Sequence, residues 1–274
     1  MEYGTRLSAV FDRCGAENRA ALSVFISAGD PDLATSFDIL CGLPGSGADI
    51  VELGMPFTDP IGDGVSVQKA GQRALKAGIK LANIFDMVAK FRRQDDKTPI
   101  VLMGYYNTIY SCGVETFLGR CAAAGVDALI VVDLPPEEDG EMWDLAVDRG
   151  VIPIRFVAPA TTVERFPKVL RNAHGFLYFV AIEGVTGAGL ADESTIEGRI
   201  AELKKHSPIP IAIGFGIKTR SDVARMARLG DAVIVGSVIV DAIMASLDTD
   251  GRATERTVPS VLHVVEDLRG GLLR

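Results

Sequence analysis

Short apolar runs alternate with longer stretches of helical period along the whole chain. The apolar runs cover residues 21–27, 50–53, 100–105, 128–132, 152–157, 176–180, 209–213 and 232–235. Each is rich in Val, Ile, Leu and Ala, and most end at Gly, Pro, Asp or Asn. Runs of this length, apolar on both alternating faces, read as strands buried on both sides. The segments between them repeat apolar residues every three or four positions, the pattern of amphipathic helices. Helices are predicted over 66–76, 81–93, 114–124, 137–149, 163–173, 196–205, 219–229, 238–247 and 258–272, with a short one at 5–14. One more runs to about residue 43, with Asp30 as its cap and Pro31 in its first turn. Pro167 interrupts the 163–173 segment early. Ser221 and Asp222 are capping candidates for the helix that begins near residue 219.

Strand alternating with helix implies a parallel sheet joined by crossover helices. Eight such units follow one another in 274 residues with no linker or composition break. The expected fold is α/β: a single (β/α)8 barrel over residues 1–274, with an extra N-terminal helix and an additional helix in the connection between strands two and three. No G-x-G-x-x-G follows the first strand, which weakens an open dinucleotide-binding sheet.

Composition narrows the chemistry. A hydrophobic content of 48% is ample for a core, and no segment approaches the roughly 18 apolar residues of a membrane span. The start, M-E-Y-G-T-R-L, lacks the layout of a signal peptide, so a cytoplasmic location is expected. Cys14, Cys41, Cys112 and Cys121 show no metal spacing and are expected to be free thiols. A net charge of −8 without a basic run argues against nucleic acid and anionic membranes as partners. His174, His206 and His263 are placed away from the strand ends where chemistry would sit, so no metal centre is expected.

In a barrel of this kind the carboxyl ends of the strands form the active face. The second strand ends in V-E-L-G-M-P-F-T-D-P-I-G-D-G, residues 51–64. It sets Glu52 among apolar residues and puts Asp59 and Asp63 on the loop beyond. A buried carboxylate is costly unless paired, protonated or used. Taken alone, Glu52 reads equally as a structural acid or as half of an acid/base pair with Asp63. Tyr105, Asn107, Asp133 and Tyr178 are the other polar side chains on offer at the strand ends. Glycine-rich loops follow the last three strands: G-V-T-G-A-G, G-F-G-I and G-S. They serve either as tight turns or as a backbone cradle for phosphate, and three adjacent clusters favour phosphate. No lysine lies on the predicted strands, which removes a Schiff-base aldolase. A carbon–carbon cleavage here would run on proton transfer alone, with a substrate that carries its own electron sink.

These motifs, together with A-G-D-P at residues 28–31, resemble the tryptophan synthase α subunit family from about residue 7 to about residue 240. The resemblance implies reversible retro-aldol cleavage of indole-3-glycerol phosphate, in which protonated indole is the electron sink. It implies Glu52 as the acid/base at indole C3, Asp63 as the carboxylate facing the indole N–H, and Tyr178 as an active-site tyrosine. Phosphate binding would fall to Gly187, Gly216, Gly236 and Ser237. Phe25, Met103, Ile130 and Phe215 would wall the indole ring, though each also reads as ordinary barrel core. Thr186 would orient Asp63 when the loops close. The family implies no cofactor in this chain; pyridoxal phosphate would belong to a β-subunit partner, within a tetramer of two α and two β chains. Asp59 is a candidate contact for that partner or a simple turn-maker. Glu52, in an apolar strand end, is expected to have a raised pKa, and Asp63, on a wetter loop, to stay ionised.

Two stretches depart from the family pattern. Val65 stands where proline is usual, and Ala181-Ile182-Glu183 replaces a Ser-x-small triplet before G-V-T-G. These put loop closure and the β-subunit signal in question more than they do the two carboxylates. The competing readings are a stand-alone indole-glycerol-phosphate lyase, a barrel acting on another sugar phosphate or thiazole phosphate, and a catalytically idle allosteric subunit.

Overall fold

A computed structural model describes residues 5–181, 193–214 and 216–272, apart from the side chains of Thr5 and Glu193. Among these residues nine strands form one parallel sheet: β1 (Ala21–Ser27), β2 (Ile50–Gly54), β3 (Ile100–Gly104), β4 (Ala128–Val131), β5 (Ile152–Pro153), β6 (Arg155–Val157), β7 (Leu177–Val180), β8 (Ile211–Gly214) and β9 (Ala232–Val235). Their lateral order is β5-β4-β3-β2-β1-β9-β8-β7-β6. The two outermost segments, β5 and β6, are the halves of the predicted fifth strand, parted only by Ile154. The sheet therefore ends where it begins, and the barrel is nearly closed through this stretch. Pro153 explains the break, because it has no N–H to give to a ladder. Ile154 N–H still donates to Leu129 O at 2.9 Å, so the chain keeps its place beside β4 before turning to pair with β7.

The surrounding helices are α1 (Thr5–Ala16), α2 (Leu33–Ser46), α3 (Val65–Lys76), α4 (Leu81–Arg92), α5 (Tyr106–Cys112), α6 (Val114–Ala124), α7 (Trp143–Asp148), α8 (Phe166–Leu170), α9 (Glu193–His206), α10 (Arg220–Leu229), α11 (Ser237–Ser246) and α12 (Thr257–Arg269). The N-terminal helix is α1, and α3 and α4 together make the connection from β2 to β3, as expected. The strands sort their side chains by period two. Leu22, Val24, Ile26, Val51 and Leu53 face the helix layer in the larger core cluster. Ala21, Phe25 and Ile50 face the barrel interior in the smaller one. The same alternation turns Ser23 and Glu52 inward, and this places a carboxylate inside the barrel.

The structure corrects four local expectations. Asp32, not Asp30, caps α2 by accepting from Thr35 N–H. Asp30 is instead buried against the Arg73 guanidinium, with contacts of 2.7 and 2.8 Å. Thr219 caps α10 in a capping box with Asp222, while Ser221 lies inside the helix. The predicted helices over 137–149 and 163–173 shrink to one 3-10 turn plus α7 and one 3-10 turn plus α8. Side-chain ties compete with their first turns. Glu137 holds Arg165 and Lys168, and Asp139 pairs with the buried Arg155, whose guanidinium lies 3.3 Å from the Trp143 ring centroid. Finally, α5 stands where only a strand end was expected. Tyr106 N–H donates to Asp133 Oδ1 at 2.7 Å at its start. Gly113, at φ 84°, separates it from α6.

Candidate active site

Register decides the position of Glu52. In the β1–β2 pair Phe25 lies opposite Glu52 and Ser23 opposite Ile50, so all four share the inner face. Glu52 is fully buried. Its Oε1 accepts from the Ser23 hydroxyl at 2.8 Å, and its Oε2 has no partner among the described residues. Burial penalises the charged form and pushes the carboxyl up to about 7, against a smaller lowering by the Ser23 hydrogen bond. An acid titrating there holds both protonation states in quantity at neutral pH.

The loop after β2 carries Asp63 back over the barrel mouth. Gly62 N–H donates to the Tyr105 hydroxyl oxygen at 2.9 Å, and Gln68 Nε2 donates to Asp63 O at 2.9 Å. Gly62 is needed here because a Cβ would lie 2.6 Å from Val132 Cγ1. The Tyr105 hydroxyl bonds to the Asp63 carboxylate, but burial outweighs it and raises the group to about 6. The expectation of a wet, unperturbed loop carboxylate is thus corrected in degree: Asp63 is half-buried, yet still mainly ionised at neutral pH.

Both carboxyl groups line a single cavity with about 560 Å3 of free space, part of it open to solvent. Phe25, Met103 and Tyr178 form part of its wall, and Gly216, Gly236 and Ser237 lie at another side. Tyr178 is buried on β7 and its hydroxyl is held well above the usual range, first by burial and then by the nearby charges of Glu52 and Asp63. Tyr178 therefore stays neutral beside them. Gly236 caps α11, whose first residue is Ser237. The opening N–H groups of a helix lack intrahelical acceptors and favour an anion. This end of the cavity is consequently suited to phosphate. Gly216, at φ 74°, takes a left-handed conformation that suits glycine.

The structure thus gathers eight of the sequence-predicted residues around one void: Glu52, Asp63, Tyr178, Phe25, Met103, Gly216, Gly236 and Ser237. Ile130 is buried in the inner core cluster and is not part of the cavity wall. Thr186, Gly187 and Phe215 lie outside the described residues, as do Ile182 and Glu183. Val65 begins α3 and is exposed. Val67, Ile217 and Ile234 also line the cavity, and nothing in their pattern set them apart from ordinary core. Ser23 did carry a signal: it is a hydroxyl on the inward alternation of an apolar strand. Among the described residues no cluster of three or more His, Cys, Asp or Glu could hold a metal. A larger void of about 980 Å3 lies between the chain segments after β4 and β6. Of its charged lining residues, Asp139 and Arg155 pair with each other, Arg165 pairs with Glu137 and Asp133 accepts from Tyr106 N–H, so these groups are already engaged.

A family model described as tryptophan synthase alpha chain matches residues 11–267. The chain belongs to the tryptophan synthase alpha chain family. Among solved structures it is similar to tryptophan synthase subunit alpha from Legionella pneumophila str. Paris, with 31% identity and a TM-score of 0.89 over 99% of this chain and 98% of that one. It is also similar to a chain of Mycobacterium tuberculosis tryptophan synthase, with 31% identity and a TM-score of 0.87 over 99% of each chain. The tryptophan synthase alpha family is a lyase family acting on indole-3-glycerol phosphate.

Two outcomes follow for this alpha chain. Glu52 takes up its proton more readily when folded than when unfolded, so its burial lowers stability as pH rises from about 4.5 to about 7. Glu52→Gln removes that charge. The variant should match the wild type in stability near pH 4 and exceed it by about 3 kcal/mol above pH 7, as read from urea unfolding at both pH values. Gly214→Ala places a Cβ 2.5 Å from the Tyr178 hydroxyl oxygen. It should destabilise the fold by about 1–3 kcal/mol and displace the tyrosine ring, lowering indole release. Chemical denaturation and turnover of the same preparation check both effects.

Proposed function

We propose that this chain cleaves indole-3-glycerol phosphate reversibly to indole and glyceraldehyde 3-phosphate by proton transfer between Glu52 and substrate, with Asp63 as the balancing carboxylate. The observation that carries this reading is one cavity with two raised-pKa acids on its wall and the start of α11 at its side.

The protonated Glu52 gives its proton to indole C3, and the ring nitrogen becomes an iminium N–H that ionised Asp63 faces. The Glu52 carboxylate then takes the proton of the side-chain hydroxyl next to C3. The C3–carbon bond breaks as an aldehyde forms, and the bond electrons return to the ring and neutralise the iminium. The net transfer is one proton from hydroxyl to C3, so Glu52 ends as it began and no redox partner is required. Neutral Tyr178 borders the acids. Phe25, Met103 and Phe215 supply apolar surface for the ring. Gly187, Gly216, Gly236 and Ser237 take the phosphate, and Thr186 orients Asp63.

The chain itself works without a cofactor in this reading. Its partner is a β subunit that holds pyridoxal phosphate and consumes the indole, in an assembly of two α and two β chains in the cytoplasm. Exposed Asp59, Ile61, Val65 and Tyr110 offer a mixed polar and apolar surface for such a partner. Indole release from indole-3-glycerol phosphate, measured with and without a β subunit, tests the proposal. Release by the chain alone that rises with the β subunit supports it; no release under either condition overturns it.

A further inference from the structure

Glu52 sits in an apolar layer of the barrel. Its inward neighbours across the sheet are Phe25 on β1 and Val101 on β3. Ser23, one inward position below Phe25, brings a hydroxyl within 2.8 Å of it. Among the described residues, the Ser23 hydroxyl is the one hydrogen-bond partner of the Glu52 side chain. Both residues are fully buried, so water does not replace that partner.

We propose that Ser23 is the positioning residue for Glu52, fixing which of its two oxygens carries the catalytic proton. This rests on the acid/base role of Glu52 proposed above. A serine hydroxyl has one proton to give. Buried among Ala21, Phe25 and Ile234, it has Glu52 Oε1, at 2.8 Å, as its one acceptor among the described residues. While it donates there, Oε1 stays an acceptor in both states of the acid, and the titrating proton resides on Oε2. Oε2 is the oxygen without a partner among the described residues, on a side chain that lines the cavity. The hydroxyl thereby removes a nonproductive tautomer, with the proton on Oε1 and pointing into the sheet. It also restrains the carboxyl plane about its last torsion, which is otherwise broad for a glutamate. In addition it favours the ionised form and so draws the acid down toward neutrality.

The test compares pH profiles of indole release from indole-3-glycerol phosphate for the wild type, Ser23→Ala, Ser23→Cys and Glu52→Gln. In Ser23→Ala, kcat should fall about tenfold with KM nearly unchanged. The limb of the kcat/KM profile governed by Glu52 should move to higher pH by about one unit, the loss of one hydrogen bond to a charged group. Ser23→Cys, a near-isostere with a weak donor, should fall between the two. Thermal melts report whether each variant is folded. A folded Ser23→Ala with the wild-type profile overturns the inference. So does a Ser23→Ala whose kcat falls equally at every pH, because that is a purely structural loss. If Glu52→Gln keeps full turnover, the acid/base role itself fails and the inference falls with it. If Glu52→Gln is inactive while Ser23→Ala is unchanged, only the inference fails.

Discussion

Glu52→Gln should lower indole release from indole-3-glycerol phosphate by about three orders of magnitude or more, the range expected when a positioned acid/base group is removed. Glutamine has nearly the shape of glutamic acid and can still accept from the Ser23 hydroxyl that now bonds Oε1 at 2.8 Å. It cannot give or take a proton near neutrality. Because the native carboxyl is buried with no counter-ion among the described residues, its loss relieves the fold rather than damaging it. The expected signature is therefore unusual: a variant that is folded, more stable than the wild type above pH 7, and almost inactive. Steady-state turnover and urea unfolding on one preparation read both halves. Wild-type-like turnover would refute the role of Glu52 outright.

Asp63→Asn is the second large loss, of about two to three orders of magnitude. Here the shape of the loop should persist, since Gly62 N–H to Tyr105 and Gln68 to Asp63 O do not involve the carboxylate. What disappears is the negative charge that meets the iminium N–H. The wild type should gain activity as pH rises through about 6, because burial lifts Asp63 to that value and only its ionised form serves. Asp63→Asn should lose that limb and keep the limb that belongs to Glu52, near 7 in the free protein. A variant profile with the limb near 6 still present would assign it to another group. Substrate affinity should change far less than turnover, because Gly216, Gly236 and Ser237, the phosphate binders of the proposed function, line the cavity and are unchanged in this variant.

Much of this was legible in advance for a physical reason. A strand buried on both faces must be apolar throughout, so Glu52 stood out against Val51 and Leu53 without any structure. Glycine clusters at strand ends are equally visible, and Gly216, Gly236 and the adjoining Ser237 do line the cavity. Ile130 shows the limit. Most inward strand residues are apolar, and among these only depth along the barrel axis separates a wall of the cavity from the filled core beneath it. Helix 137–149 shows another limit. Its period was correct, but Asp139 and Glu137 are drawn out by Arg155, Arg165 and Lys168, distant cations that no local pattern reveals. Asp30 failed as a cap for the same reason, having Arg73 as a partner 43 residues away.

The sequence by itself determined the parallel α/β barrel, the carboxylates of the second strand and its loop, and the glycine-rich turns, because each is written in local period or residue type. Only the tertiary structure decided that Glu52 and Asp63 share one void, that Ser23 holds a single oxygen of Glu52, and that Asp63 is lifted to about 6 rather than left as a solvated acid. Strand register and burial settle those points. Both come from contacts between residues far apart in the chain, and the cost of burying a charge depends on what the fold packs around it.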